Sequence, residues 1–203
     1  YIPIVACNYI PIVACNYAPI VASCYIPIAN KERLYLFILY KKMKERINKT
    51  NAARLLDRDR VAYELIPYEV DESDLSAVHV AAQLGEDIDR VFKTLVLHGD
   101  RTGHFVCVIP GEHEVDLKLA ARVSGNKKCD LIPVKELLPL TGYIRGGCSP
   151  IGMKKPLPTY IHRTCLDFDH IYVSAGVRGL QLRLAPQDLI RVAHAEVCDL
   201  FVG

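Results

Sequence analysis

Thr141–Gly152 reads TGYIRGGCSPIG: four glycines, a Ser-Pro pair and one formal charge, Arg145, within twelve residues. Glycine loses more backbone entropy on ordering than any other residue. Such density persists where backbone must approach something closely or turn through dihedrals closed to side chains. Two shorter stretches frame it, VFKTLVL at Val91–Leu97 and YVSAGVRG at Tyr172–Gly179. Together they point to a site built from main-chain amides and one well-placed lysine, not from a nucleophile and its base.

The chain has 203 residues, enough for one proper core, and a single domain is expected. Of 25 basic and 23 acidic residues, four basic and one acidic fall in residues 1–42, so the remainder is balanced to within one charge. No global field steers this protein to a polyanion. Any nucleic-acid contact must come from a local patch, to which Lys127-Lys128, Arg145 and Lys154-Lys155 contribute. Eight cysteines contain no C-x-x-C spacing, and the seven histidines show no ligand spacing, so neither a disulfide framework nor a metal site is expected. Reduced thiols in a cytoplasmic protein fit the pattern.

Tyr1–Asn30 repeats with a period of eight, with prolines at 3, 11, 19 and 27. The run is long and apolar enough to span a bilayer, but each proline removes a backbone donor and clashes with the preceding turn. A signal peptide would start basic and be shorter. Residues 1–42 are therefore expected to be a low-complexity extension, disordered or artefactual. The domain itself would occupy residues 43–203, opening at Met43.

Within that domain Thr50 or Asn51 can cap a helix bearing Ala52, Leu55 and Leu56, and Ser76 a second one through Val80 and Leu84, stopped by Gly85. Val61–Val70 reads as extended, with Pro67 at an edge or bend. Phe92–Leu97 and His104–Ile109 are β-rich runs joined by HGDRTG, a hairpin signal that leaves His98 and His104 facing solvent. Helices follow at Asp116–Val123 and Val134–Leu138, strands at Thr159–His162, Ile171–Ser174 and Leu180–Leu184, and a last helix from Pro186 to about Ala195. With no regular βαβ alternation, the expected class is α+β: a mixed, curled, barrel-like sheet flanked by helices.

The ordered motifs KTNAARLL from Lys49, YEVD at Tyr68–Asp71, VFKTLVL, TGYIRGGCSPIG, LPT, YVSAG and RGL resemble the YbaK/EbsC family of aminoacyl-tRNA deacylases. The same fold occurs as an editing domain inserted in bacterial-type prolyl-tRNA synthetases. The resemblance runs from Lys49 to the C-terminus. It implies clearing of mischarged tRNA, typically cysteine on proline tRNA, with no cofactor, metal or membrane. The partners it implies are the acceptor end of the tRNA and prolyl-tRNA synthetase. Alternatives left open are an alanine-specific editor of the same fold and a non-catalytic module that binds tRNA or synthetase.

Carried over by position, Lys93 matches the lysine the family needs, Thr94 its neighbour in the pocket, and Tyr68 a pocket tyrosine. Gly146 lies in the loop contacting the aminoacyl group and Ser174 in the second loop; Gly147, Ser149, Gly176 and Arg178 complete the binding set. The chain departs from the family at His162, where an acid is common, at Val177, where a lysine is common, and in the length of Glu72–Ser76. Chemically, Gly146-Gly147 can offer unobstructed amides to an ester carbonyl; the alternative is a tight turn before Ser149-Pro150. Lys93 is assigned to binding and orientation, against the alternative of a lysine snorkelling at a strand end. Cys148 lies within the loop but lacks an activating histidine in the sequence around it, so packing is its expected role. The resemblance implies instead that the substrate's own thiol attacks its ester carbonyl and leaves as a thiolactone.

Overall fold

A computed structural model of the chain describes residues 49–202; the extension read at residues 1–42, with Cys7, Cys15 and Cys24, lies outside the described residues. Helices start where capping side chains stand. Thr50 accepts from Ala53 N–H to open α1 (Asn51–Arg58), and Ser76 accepts from His79 N–H to open α2 (Ala77–Leu84), which Gly85 closes at φ 66°. Asp116 accepts from Lys118 and Leu119 N–H ahead of α3 (Leu117–Val123). Its own N–H donates to Leu200 O at 2.7 Å.

The strands are β1 (Tyr63–Pro67), β2 (Phe92–Gly99), β3 (Gly103–Pro110), β4 (Cys129–Leu131), β5 (Thr159–His162), β6 (Ile171–Ser174), β7 (Leu180–Leu184) and β8 (Ala195–Cys198). They form a mixed five-stranded sheet, β4-β2-β3-β5-β8, and an antiparallel three-stranded one, β1-β7-β6. Pro67 ends β1, an edge strand, as expected of a residue with no donor to give. The β2–β3 hairpin is pinned by buried Asn126, whose Oδ1 accepts from Arg101 and Thr102 N–H at 2.9 Å. A parallel bridge, Val91 to Tyr172, joins the two sheets, so β6 continues the β2 edge that β4 occupies further along. The expected mixed sheet is thus present as two ladders folded about one seam.

Two strands and a helix end differ from the sequence reading. β4 has three residues, too few to show an alternation, and β8 follows the last helix without a glycine. That helix, α5 (Pro186–Ala193), ends at His194, which takes the left-handed conformation (φ 49°) usually left to glycine, and Ala195 is already strand. The helix expected over Val134–Leu138 runs on as α4 (Val134–Thr141) through Pro139, whose ring forfeits one hydrogen bond, while Thr141 Oγ1 donates to Leu137 O at 2.7 Å.

Three apolar clusters record which way each strand residue faces. The first lies inside, with Phe92, Val96, Val108, Val173, Ala175, Leu180 and Leu182 packed against Leu56 of α1 and Leu189 of α5. On the opposite face, α3 covers Leu97, Phe105, Cys107 and Ile109. On that same outer face α2 covers Val91 and Tyr172, with Ile66 and Tyr68 alongside. Polar residues of the outer face lie between these two helical covers.

Candidate functional site

Alternation along the strands brings Lys93, Ser174 and Gln181 to one face. Val91 and Tyr172 are bridge partners, and Lys93 and Ser174 each stand two residues further along parallel chains. In the antiparallel ladders Ser174 pairs with Gln181, and Gln181 with Ile66. A row Ile66–Gln181–Ser174–Lys93 therefore crosses the seam, and Tyr68 stands two residues beyond Ile66, its N–H bonded to Gly179 O at 3.0 Å. Lys93 is partly exposed, and its Nζ donates to Glu114 Oε1 at 3.2 Å. Glu114 is 84% exposed, so the pair is a solvent-screened one, worth little and readily exchanged for another anion.

Gln181 is the residue that sequence reasoning missed. It is 6% exposed, and its Oε1 accepts nothing. Most buried polar atoms in native proteins find a partner, so an orphaned carbonyl beside Ser174 marks a place where a ligand donor fits. The signal was available: LQLRL alternates, and alternation alone puts Gln181 and Arg183 on the face away from the leucines.

The glycine loop meets this row at the β6–β7 turn. Ile144 to Gly147 form a turn closed by Gly147 N–H to Ile144 O at 3.0 Å, and Gly146 (φ 80°) supplies the positive dihedral of a type II geometry. A Cβ on Gly147 would lie 3.1 Å from Val177 C and Arg178 N, and one on Gly146 would press on Leu75. Gly176 (φ 96°) accepts the Tyr143 ring so closely that a Cβ would come within 2.7 Å of it. Tyr143 in turn donates to Ile151 O at 2.7 Å, and Arg178 Nε donates to Arg145 O at 3.0 Å. Two loops about thirty residues apart thus interlock through glycine contacts and the side-chain hydrogen bond from Arg178.

Several expectations change. Gly147 N–H is consumed by the turn, so Gly146 and Gly147 do not form a free pair of donors; of the two, the Gly146 amide is the one with no acceptor among the described residues. Ser149 is completely buried and its Oγ accepts from Ile151 N–H, which removes it from any ligand-facing surface. Thr94 shares the inward parity of Phe92 and Val96, so it stands on the opposite side of β2 from Lys93, with its hydroxyl unpartnered. Gly176 serves packing under the loop. Arg178 bonds Glu72 Oε1 at 3.2 Å as well as the glycine loop, tying the segment after Tyr68 to the rim.

Cys148 is buried in the first cluster, and burial pushes its thiol up to about 12. It is therefore a protonated packing residue at neutral pH. His162 is buried too, with Nδ1 accepting from Leu200 N–H at 3.0 Å, and its ring stacks on Phe201, which also stacks on His113. These residues fasten the C-terminal segment. His98 and His104 face each other across the hairpin, edge to face at 4.7 Å. Among the described residues no cluster of His, Cys, Asp and Glu could hold a metal, and no helix is long and apolar enough to cross a membrane.

Comparison with known proteins gives a family match. A model described as an aminoacyl-tRNA editing domain covers residues 72–192. EbsC of Enterococcus faecalis, a candidate Cys-tRNA(Pro)/Cys-tRNA(Cys) deacylase, is 46% identical over 152 residues, 75% of this chain and 93% of that protein. Among solved structures, a candidate trans-editing enzyme for prolyl tRNA synthetase superposes with a TM-score of 0.66 at 24% identity, covering 77% of this chain and 99% of that one. The hypothetical protein APE2540 gives 0.68 at 22% identity, covering 74% and 99%. The two superpositions show the fold.

Proposed function

From the premise that the chain belongs to the aminoacyl-tRNA editing domain family, we propose that it acts in trans in the cytoplasm on Cys-tRNA(Pro), releasing the cysteine. The observation that carries the reading is the row of Lys93, Ser174 and Gln181 under the glycine loop, a polar strip that offers cation, hydroxyl and carboxamide but no activated nucleophile. Cys148, the one thiol in the loop, is held protonated and packed away. The relative's name for Cys-tRNA(Pro) supplies the substrate class.

In the proposed reaction the cysteinyl sulfur, having lost its proton, attacks its own ester carbonyl carbon. The carbon–oxygen bond to the ribose then breaks, the ribose oxygen takes up a proton, and a four-membered thiolactone leaves for hydrolysis in water. Lys93 exchanges Glu114 for the terminal phosphate and ribose, fixing the ester beside the row. The Gly146 amide donates to the carbonyl oxygen as it gains charge. Ser174 and Gln181 hold the amino-acid end. Delivery of the mischarged tRNA would come from prolyl-tRNA synthetase.

The test is deacylation of proline tRNA charged with cysteine, alanine or proline. Cysteine should be released fastest. Lys93→Ala should lower kcat/KM by roughly 10²-fold or more, the scale for losing one preorganised charge-stabilising group, while Cys148→Ala stays active. Preferred release of alanine would point to the alanine editor. No release of any of the three would leave a binding module, and a folded but inactive Cys148→Ala protein would overturn the thiol-assisted route.

A further inference from the structure

Several arginines of this molecule are neutralised where they stand. Arg58, Arg90, Arg163, Arg183 and Arg191 each pair with a carboxylate within 3.4 Å. Other cations are exposed and unpaired, and four of them gather around α4 and the glycine loop. Lys135, Arg145, Lys154 and Lys155 are all exposed, and among the described residues none makes an ion pair or a side-chain hydrogen bond. Exposed, unpaired charge gathered on one side of a domain, residues 43–203, balanced to within one unit is a local field, and local fields are what recruit polyanions to near-neutral proteins.

Contacts link these four cations to the candidate site in sequence. Arg145 stands at the rim, its carbonyl held by Arg178. Three residues earlier, a Cβ on Gly142 would touch Lys154 Cβ at 3.7 Å, and Lys154 N–H donates to Thr141 O at 2.9 Å. Lys155 and Lys135 then line one open cleft of about 390 Å³, along with His104 and a single acid, Glu136. The line follows α4, whose eight residues span about 12 Å. At ~3.4 Å of rise per nucleotide along one strand, that is three to four phosphates.

We infer that this line is a phosphate track: Arg145, Lys154, Lys155 and Lys135 carry the backbone of the tRNA acceptor stem as it leaves the candidate site. The inference rests on the proposed reading of that site. It adds where the rest of the substrate lies. A strand whose 3′ end reaches Ser174 and Lys93 past Arg145 continues over α4. The track reads charge and spacing, not sequence, so it contributes affinity common to all tRNAs.

The experiment measures binding of uncharged proline tRNA by fluorescence anisotropy across a monovalent salt series. The combined variant Lys135→Gln, Lys154→Gln, Lys155→Gln spares every residue of the proposed chemistry. Each lost phosphate contact lowers the log–log salt slope by about 0.7–0.9, so the variant's slope should fall by about two to three, with affinity at 0.1 M salt reduced roughly tenfold or more. A paired control, Lys118→Gln with Arg122→Gln on α3, removes two charges from the opposite side of the sheet and should leave the slope as it is. Thermal melts of both variants close to the parent show that the fold is kept.

An unchanged slope in the triple variant, or no measurable tRNA binding by the parent at low salt, overturns the track. So does a slope that holds while binding to prolyl-tRNA synthetase is lost, which would make an acidic protein surface the occupant. Failure of the proposed function reads differently: a parent that binds with the predicted slope but deacylates nothing keeps the track and loses the reaction. In the active case the triple variant should raise KM while kcat holds, the signature of lost uniform binding.

Discussion

Lys93 and Gln181 stand on one face of the sheet in opposite electrostatic situations. The ammonium has an exposed, exchangeable partner, while the carboxamide oxygen has given up water and gained nothing in return. Leaving a buried acceptor unsatisfied costs ~1–3 kcal/mol, so Gln181→Leu should raise the melting temperature by several degrees. If the oxygen is kept for substrate, the same variant should lose deacylation, and differential scanning fluorimetry beside the cysteine-release assay checks both halves. A variant that is more stable and fully active would show Gln181 to be a bystander. Lys93 draws attention in the sequence as a lone lysine in an apolar run, whereas Ser174 enters the proposed site only through the family resemblance. Gln181 was legible only from alternation. The inward turn of Thr94, the burial of Ser149 and the occupied Gly147 amide were not legible, because each depends on what packs against it rather than on its own chemistry.

At the scale of elements, the glycine loop and the β6–β7 turn make one unit. Gly176 is required twice, by its dihedral and by the Tyr143 ring that fills its missing Cβ. Gly176→Ala should therefore cost about 1–3 kcal/mol and displace the turn, lowering deacylation by more than the stability change alone explains; chemical denaturation and kinetics on the same preparation check this. Helices announced by Thr50, Ser76 and Asp116 were readable because a capping side chain and its helix are neighbours in sequence. The seam was not. A single bridge between Val91 and Tyr172, eighty-one residues apart, has no local signature, and β4 and β8 are strands only because a neighbouring edge accepts them.

At the scale of the whole molecule, the C-terminal segment is closed over the sheet by His162. Its Nδ1 must be unprotonated to accept from Leu200 N–H, and burial holds the imidazole below its ordinary value, although Asp199 pulls the other way. Below about pH 6.5 the unfolded chain takes up a proton that the folded one refuses. Stability from this group is thus complete above that pH and falls as acid approaches the lowered folded value. Thermal melts between pH 5 and 7.5 should show this loss, and His162→Gln, which can accept but does not titrate there, should flatten the curve. An equally steep curve in the variant would assign the acid sensitivity elsewhere.

The burial of Cys148 has a bearing beyond catalysis. Mixed disulfides form when a thiolate attacks, and a thiol held near 12 presents almost none at neutral pH. A protein whose proposed cargo carries a free sulfhydryl would otherwise risk capture by its own wall whenever the cell's redox poise turned oxidising. Here the wall offers no partner for that capture. The proposed active surface would remain usable under oxidising conditions without a reductase to regenerate this thiol.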